Sequence, residues 1–247
     1  MIIGIIPARY ASTRFPGKSL IEIEGKTMIQ RVYEQASKSA SLDMVIVATD
    51  DIRIANHVRS FKGNVVLTDA SHESGTDRCW DAFKQVNGNF DYIINIQGDE
   101  PFIDPSQIDL LAETLRSGET ELATLIIPVD NHEVLFDKGE AKVVLNDQME
   151  GIYFSRMVIP FIKGVPEAEW HKHHPYFRHV GMYAYRKDVL EAVTKLPVSA
   201  LEKAESLEQL RWLEAGYKIR CAVTQFDSHC IDTPEDVEKV LRLMKHS

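Results

Sequence analysis

Short apolar runs alternate with longer segments of helical periodicity along most of the chain. Ile2–Ile6 is uniformly apolar, which is typical of a strand that is buried on both faces of a parallel sheet. Thr27–Ala40 has apolar residues at steps of three and four, and Thr27 with Gln30 matches a capping box, so this segment predicts a helix. The alternation continues with predicted strands Met44–Ala48, Asn64–Leu67, Tyr92–Ile96 and Leu122–Val129, and predicted helices Asp50–Phe61, Thr76–Val86 and Pro105–Arg116. This order predicts an α/β fold with a mostly parallel sheet that is flanked by helices.

The pattern becomes shorter and less regular after Pro128, and Pro160–Pro175 shows no period at all. A final helix is predicted from Pro234, because Thr233 suits the cap position and proline suits the first helical position. The remaining predicted elements are strands Lys142–Leu145, Gly151–Phe154, Gly181–Tyr185 and Ile219–Val223, and helices within Lys187–Val193 and Ser199–Ala215. We therefore expect one domain over residues 1–247, in which about 130–180 form an insertion.

Composition excludes several classes of protein. A chain of 247 residues with 44% hydrophobic residues is large and apolar enough to bury a core, which excludes general disorder. The net charge of −9 argues against a nucleic-acid binder. Three cysteines without a CxxC spacing favour a reducing compartment, and no apolar run approaches the roughly 20 residues needed to cross a bilayer. We expect a cytoplasmic protein without membrane insertion.

The first candidate for chemistry is the loop that follows the first predicted strand. The first 18 residues contain Arg9, Arg14 and Lys18 but no acidic residue. In open α/β sheets ligands bind beyond the carboxyl ends of the strands, so this loop is placed to hold a polyphosphate. The glycine that a P-loop needs five positions before the glycine of each Gly-Lys pair is absent, because Ser12 and Leu20 stand there, which excludes that motif. A solvated basic loop remains the alternative.

Acidic residues follow two other predicted strands. Asp99 and Glu100 lie in QGDEP, directly after a buried strand, and Asp232 lies in IDTPED before the final helix. Carboxylates at the ligand edge suit Mg²⁺, which commonly takes one or two protein carboxylates and completes its shell with phosphate and water. Helix capping and a tight turn remain the alternatives for both motifs. The histidine cluster HKHHP at 171–175 lacks the spacing of a helical zinc pair and is interpreted as a loop.

Taken together, eight motifs resemble those of one enzyme family over essentially the whole chain. They are IPARYASTRFPGK at 6–18, VATDD at 47–51, HESGTDR at 72–78, QGDEP at 97–101, YFSR at 153–156, RHVGMYAYR at 178–186, LEQLR at 207–211 and IDTPED at 231–236. In this order they resemble the 3-deoxy-manno-octulosonate (Kdo) cytidylyltransferases, also called CMP-Kdo synthetases. The resemblance implies a nucleotide-diphospho-sugar transferase fold, with residues 1–247 as a single nucleotidyltransferase domain and about 130–180 used for dimerisation and sugar binding.

The resemblance also implies an activity, its cofactor and its residues. The implied reaction is Mg²⁺-dependent: CTP and the acidic eight-carbon sugar Kdo give CMP-Kdo and pyrophosphate for lipopolysaccharide biosynthesis. The implied nucleotide-binding residues are Ala8, Arg9, Arg14, Lys18, Ser74, Gly75 and Arg78. The implied sugar-binding residues are Gln97, Arg156, His179, Tyr183, Glu208 and Gln209. Asp99 and Asp232 are implied to bind the metal and, with Arg14 and Lys18, to be catalytic.

Two positions depart from the family pattern, and other readings stay open. Ser19 stands where the family usually has proline, and Lys163 stands where relatives often carry arginine. Lysine cannot bind a carboxylate through two parallel hydrogen bonds as arginine does. The 8-amino analogue of Kdo or another acidic sugar is an alternative substrate. A non-catalytic CTP-binding regulator is a more remote alternative, and a nicotinamide dehydrogenase is weaker still because no GxGxxG follows the first strand.

Overall fold

The computed structural model describes residues 1–11, 15–117, 120–227 and 230–244, and its contacts divide the chain into two compact units. Unit 1 is Met1–Ala112 with Ser228–Ser247, and unit 2 is Glu113–Asp227. The strands are β1 Ile2–Ala8, β2 Glu22–Ile23, β3 Lys26–Thr27, β4 Met44–Thr49, β5 Val65–Leu67, β6 Tyr92–Asn95, β7 Leu122–Val129, β8 Lys142–Leu145, β9 Gly151–Ser155, β10 Tyr176–Arg186 and β11 Arg220–Val223. The α-helices are α1 Met28–Ala36, α2 Ile52–Ser60, α3 Gly75–Gln85, α4 Pro105–Arg116, α5 His132–Phe136, α6 Trp170–His173, α7 Lys187–Val193, α8 Ala200–Glu205, α9 Gln209–Glu214 and α10 Pro234–Met244.

Unit 1 contains a parallel sheet in the strand order β6-β1-β4-β5. Ile3 of β1 lies opposite both Met44 of β4 and Ile93 of β6, and Ile2, Ile3, Ile5 and Ile6 are fully buried. This two-sided burial explains why β1 has no polar alternation in its sequence. Because β1 and β6 are parallel, the loops that follow them leave from the same edge of the sheet.

Unit 2 contains strands in the order β11-β7-β10-β8-β9, and its pairing is mostly antiparallel. Only β11 runs parallel to β7 among these described pairs. A bulge interrupts β10 between Val180 and Tyr183, and the Thr124 hydroxyl of β7 donates to the Met182 carbonyl there at 2.8 Å. At the bulge, a side-chain hydroxyl of the neighbouring strand therefore bonds to a backbone carbonyl of β10.

Most predicted elements appear near their predicted bounds, and the α/β prediction is confirmed. Helix Pro105–Arg116 and strands Leu122–Val129 and Lys142–Leu145 match in full. Two helices, α8 and α9, lie within the predicted helical segment 199–215, and Ser206, whose φ is +54°, ends α8 in the left-handed region. β10 begins five residues before its predicted start, and the short elements β2, β3, α5 and α6 were not predicted. The prediction of a loop for the histidine cluster is wrong at His171 and His173, which belong to α6. The structure forms two compact units, and the expectation of one domain with an insertion stays a prediction.

Within the described residues, no helix is both long enough and apolar enough to span a bilayer.

Candidate functional site

A cavity of about 260 Å³ opens at the edge of unit 1 where β1 and β6 end. Apart from Arg14, which lies outside the described residues, the residues implied for the nucleotide and the metal line this cavity: Ala8, Arg9, Lys18, Ser74, Gly75, Arg78, Asp99 and Asp232. Gln97, which the resemblance assigned to the sugar, lines it too, as do Ser19 and His72, which were not predicted. The structure therefore brings four separate sequence motifs to one edge of the sheet.

Lys18 lies between the two predicted metal-binding aspartates. Its Nζ donates to Asp99 Oδ2 at 2.8 Å and to Asp232 Oδ1 at 3.0 Å, and it lies 3.3 Å from the Ile231 carbonyl oxygen. The two aspartates are 133 positions apart in the chain, and the Ile231 amide holds them together by donating to the Asp99 carbonyl at 2.9 Å. The three N–H groups of the ammonium thus have three oxygen acceptors.

Asp232 is available to Lys18 because another residue serves the start of α10. The Asp236 carboxylate accepts hydrogen bonds from the Asp232 amide, the Thr233 amide and the Thr233 hydroxyl at 2.8–3.0 Å. Pro234 is the first helical residue, as predicted. The Thr233 hydroxyl, however, donates to Asp236 rather than capping an amide of the helix, which reverses the predicted direction of that contact.

The electrostatics of this cluster keep Lys18 charged. Burial alone would lower the pKa of Lys18, but the charges and hydrogen bonds of Asp99 and Asp232 outweigh it and leave the pKa above its ordinary value. Donor atoms of Asp99, Asp232 and Cys230 lie within 4.8 Å of one another. Desolvation, followed by the two carboxylates, raises the pKa of the Cys230 thiol, which keeps it protonated. The two carboxylates are the hard oxygen donors that this cluster offers to a cation.

The amino end of α3 forms another wall of the cavity. Ser74 caps the helix by accepting from the Asp77 amide at 3.0 Å, and Gly75 is its first residue. A Cβ on Gly75 would lie in ordinary van der Waals contact, 3.4 Å from Pro7 Cγ, so the start of α3 lies close to β1. The exposed amide groups and dipole of a helix start favour an anion such as phosphate.

Arg78 of α3 is buried and already has protein partners. Its guanidinium donates to the Thr68 hydroxyl at 2.7 Å and to Asp50 at 3.3 Å. His72 is similarly fixed, because its Nε2 lies 2.8 Å from Asp81 Oδ2. Only the HESGTDR motif pointed to this wall, and nothing in its spacing singled out His72.

The implied sugar-binding residues of unit 2 include a half-buried histidine and a buried tyrosine on β10. Because the Thr124 hydroxyl donates its proton to a carbonyl, it accepts from His179 Nε2 at 2.9 Å, which leaves Nδ1 as the acceptor atom of His179. Burial lowers the pKa of His179 to about 3, followed in effect by the charge of Arg178. The His179 ring lies 5.1 Å from that of Tyr183, centroid to centroid, across the bulge. His179 is thus neutral at physiological pH.

Helix α9 adds further polar groups in unit 2. Glu208 precedes the helix, and Gln209 is its first residue. Gln209 Nε2 and the indole N–H of Trp212 are buried, and neither has a hydrogen-bond partner among the described residues. The Trp212 ring meets Tyr183 edge-on, with centroids 4.9 Å apart. Buried donors without partners are costly, which indicates an acceptor supplied by water or a ligand.

Arg156 is engaged differently from what the resemblance implies. Its guanidinium donates to four backbone carbonyls, those of Lys138, Gly139, Glu205 and Ser206, at 2.9–3.5 Å. These bonds connect a turn after α5 to the end of α8. The four carbonyls use four of the five N–H groups of the guanidinium, which leaves one Nη2 N–H of Arg156 for a sugar carboxylate.

The histidine cluster at 171–174 does not form a metal site among the described residues. His171 and His173 belong to the short helix α6, and His173 lies 3.9 Å from Glu169. Within the ranges that the structure covers, the group formed by Asp99, Cys230 and Asp232 is the one set of three metal-ligating side chains close enough to share an ion.

Comparison with known proteins shows the family of this chain. A family model described as cytidylyltransferase matches residues 3–219. A 3-deoxy-manno-octulosonate cytidylyltransferase of Parabacteroides distasonis is 54% identical over 246 residues, covering 98% of this chain and 97% of its own. An 8-amino-3,8-dideoxy-manno-octulosonate cytidylyltransferase of Shewanella amazonensis is 45% identical, with 98% and 97% covered.

A solved structure extends the likeness to three dimensions. It is that of a CMP:2-keto-3-deoxy-manno-octonic acid synthetase complexed with CTP, which superposes with a TM-score of 0.91 at 41% identity, covering 99% of this chain and 98% of the other. Identity and coverage at these levels exceed what a shared fold alone requires. The chain belongs to the cytidylyltransferase family, among the 3-deoxy-manno-octulosonate cytidylyltransferases.

Proposed function

We propose that this protein transfers the cytidylyl group of CTP to Kdo, giving CMP-Kdo and pyrophosphate. The observation that carries the proposal is the meeting of Lys18, Asp99 and Asp232 at a cavity that the amino end of α3 also lines. This combination offers cations and helix amides to a triphosphate, and carboxylates to its counter-ion. It occurs in a chain whose close relatives bear the name of this activity.

In the proposed reaction, the anomeric hydroxyl of the sugar attacks the α-phosphorus in line with the leaving group. A new P–O bond forms, the bond to the β-phosphate breaks, pyrophosphate leaves and the hydroxyl proton is lost to the medium. Arg9 and Lys18 bind the phosphates and neutralise the charge on the departing pyrophosphate. No protein nucleophile is needed, so catalysis depends on positioning and on charge.

We assign Mg²⁺ to Asp99 and Asp232. The fit rests on two hard oxygen donors close enough to share an ion, which is the donor type that Mg²⁺ takes. When bound, the ion would neutralise phosphate charge and lower the pKa of the attacking hydroxyl. Lys18 already contacts both oxygens, and an ammonium and a divalent cation on the same oxygens repel each other strongly. Lys18 would therefore leave the carboxylates for the phosphates.

The sugar is proposed to bind residues of unit 2. His179 offers a neutral acceptor, and Gln209 offers a buried donor without a partner among the described residues. Such groups suit a molecule rich in hydroxyl groups, which both donate and accept. The 8-amino analogue is the second candidate, because a relative that is 45% identical bears its name.

We further propose that the enzyme is a cytoplasmic homodimer that serves lipopolysaccharide biosynthesis. Strand β9 is an edge strand of unit 2, and its Ile152 is exposed, as are Met157 and Phe161 beyond it. An unpaired strand edge with exposed apolar residues suits pairing with a second copy. The cytoplasmic assignment rests on the free cysteines and on the use of CTP.

A pyrophosphate-release assay tests the proposed function. It crosses four nucleoside triphosphates with Kdo and its 8-amino analogue in the presence of Mg²⁺. The account predicts release with CTP and Kdo, and little with ATP, GTP or UTP. Preference for the 8-amino sugar would select the second candidate, whereas CTP binding without release on either sugar would contradict both.

A further inference from the structure

The two described ends of the N-terminal basic loop contact each other. The Gly17 amide donates to the Tyr10 carbonyl at 2.9 Å, and Gly17 adopts a φ of +72°. A Cβ at Gly17 would lie 3.1–3.2 Å from three atoms of the Tyr10 side chain, so the ring of Tyr10 lies directly against this turn. Lys18 follows immediately, and the Leu20 amide closes the turn by donating to the Gly17 carbonyl.

A cation covers the ring of Tyr10. The centre of the Arg53 guanidinium lies 3.3 Å from the centroid of the ring, which is a close cation–π contact. Arg53 is also bound to Asp51, with Nε and Nη2 at 2.9 and 2.6 Å from the two carboxylate oxygens. Asp51 in turn caps α2 by accepting from the Arg53 amide.

This arrangement is not explained by burial of the arginine. The Arg53 side chain is 57% exposed, and an exposed arginine ordinarily keeps its rotamer freedom because nothing offsets the entropy of fixing it. Here the planar group is fixed by a forked carboxylate on one side and an aromatic ring on the other. The contacts form a continuous path from the capped start of α2, through Tyr10, to the turn that carries Lys18.

We propose that Asp51, Arg53 and Tyr10, together called the Tyr10 clasp, position Arg9 and the turn at Gly17 and Lys18 for the triphosphate. In this role Tyr10 and Arg53 are positioning residues that act through Arg9 and Lys18. The clasp holds these residues in their binding geometry before CTP arrives, so that binding does not bear the cost of ordering them. Its consequence for catalysis rests on the proposed use of CTP, whereas its effect on the loop itself does not.

Steady-state kinetics of clasp variants test this role. Tyr10→Leu is expected to raise KM for CTP by about 5–10-fold and to change kcat by less than about 3-fold, because ordering is lost before binding. Tyr10→Phe keeps the ring and is expected to remain within about 2-fold of the parent. Arg53→Leu is expected to raise KM about 3-fold, and to add nothing in the Tyr10→Leu background. Arg59→Leu, an exposed arginine of α2 bonded to Asn56, is the matched control and should have no effect.

Hydrogen exchange gives a readout without turnover. The amide of Gly17, which is bonded to Tyr10, is expected to exchange faster in Tyr10→Leu and Arg53→Leu without CTP, and not in Arg59→Leu. If exchange accelerates but KM for CTP stays unchanged, the clasp only supports the fold and the proposal is overturned. An equal rise in KM from Arg53→Leu in both backgrounds also overturns it, because Arg53 then acts without Tyr10.

Failure of the Tyr10 clasp and failure of the proposed function give different experimental results. Were the parent protein to release no pyrophosphate with any sugar, calorimetric CTP binding would replace KM in the same comparison. The clasp predicts weaker CTP binding by Tyr10→Leu than by Tyr10→Phe in that experiment as well. Equal binding by the two variants would contradict the clasp.

Discussion

Lys18, Asp99 and Asp232 of unit 1 meet as ions, whereas three of the candidate residues of unit 2, His179, Tyr183 and Gln209, offer neutral rings and an amide. Lys18 lies between two carboxylates in unit 1, and its pKa is raised by them. In unit 2 burial holds His179 neutral, and Gln209 keeps a buried amide without a partner among the described residues. The first set can exchange one ionic partner for another when a charged ligand arrives. The neutral groups of unit 2 can form hydrogen bonds with an uncharged ligand, and these bonds do not depend on the exchange of an ionic partner.

The largest expected effect follows from removing one charge in unit 1. Asp99→Asn is expected to lower turnover at saturating Mg²⁺ by at least about 100-fold, because the carboxylate that faces Lys18 and the proposed metal is lost. Steady-state pyrophosphate release measures the effect. Asp104→Asn is the matched control, since Asp104 accepts from Ser106 in the same loop and asparagine keeps that contact. Near-normal turnover of Asp99→Asn would remove the metal assignment.

The neutral set is tested by Gln209→Leu. This change is expected to raise KM for the sugar about 10-fold and leave KM for CTP within about 2-fold, because only an uncharged hydrogen-bond donor is lost. Gln148→Leu, at an exposed position of unit 2, provides the control. A rise in KM for CTP alone would show that the assignment of CTP to the unit 1 residues and of the sugar to the unit 2 residues is wrong.

An intermediate effect is expected for Lys18→Met. Removing the ammonium that contacts both carboxylates is expected to tighten binding of Mn²⁺ about 5-fold in the absence of CTP, even though turnover falls. Titration monitored by electron paramagnetic resonance measures the free ion. Lys26→Met removes an exposed lysine paired with Glu34 and should leave the affinity unchanged. Weaker Mn²⁺ binding by Lys18→Met would contradict the exchange of partners.

The smallest effect concerns pH. Because the pKa of His179 falls from its ordinary 6.5 to about 3 on folding, the unfolded chain binds more protons between these values, and stability is lost as pH falls through this range. His179→Gln keeps a donor for Thr124 but does not titrate. Urea unfolding at pH 7.5 and 5.0 is expected to show a smaller loss of stability for this variant than for the parent. An equal loss in both proteins would show that His179 is not held neutral.

The sequence predicted which edge of the unit 1 sheet carries the chemistry, but not how its charges pair. The carboxyl ends of parallel strands share an edge, so Arg9, Lys18 and Asp99 follow from the pattern of apolar runs. That Asp232 joins them depends on the Ile231–Asp99 backbone contact, and no local pattern encodes a contact between segments so far apart. The Tyr10 clasp was missed for the same reason, since Arg53 reads as a solvated helix residue.

In unit 2 the sequence predicted fewer of the contacts of the candidate site residues, because several of these contacts are hydrogen bonds from side chains to backbone carbonyls. Thr124 looks like an ordinary strand residue, yet its hydroxyl fills the bulge of β10 and orients His179. Arg156 looks like a free cation, yet backbone carbonyls of two turns surround its guanidinium. Helix α8 ends at Ser206 in a left-handed conformation that serine seldom adopts, so no local sequence pattern predicts this end.

The central claim is that two distant aspartates hold one divalent cation, and metal binding tests it most directly. Mn²⁺ titration compares the parent protein with Asp99→Asn, Asp232→Asn and the double variant in the presence of CTP. If the two residues share one ion, each single change is expected to weaken binding by at least about 10-fold, and the double change adds less than the sum. Parent-like affinity in Asp232→Asn would contradict a shared site.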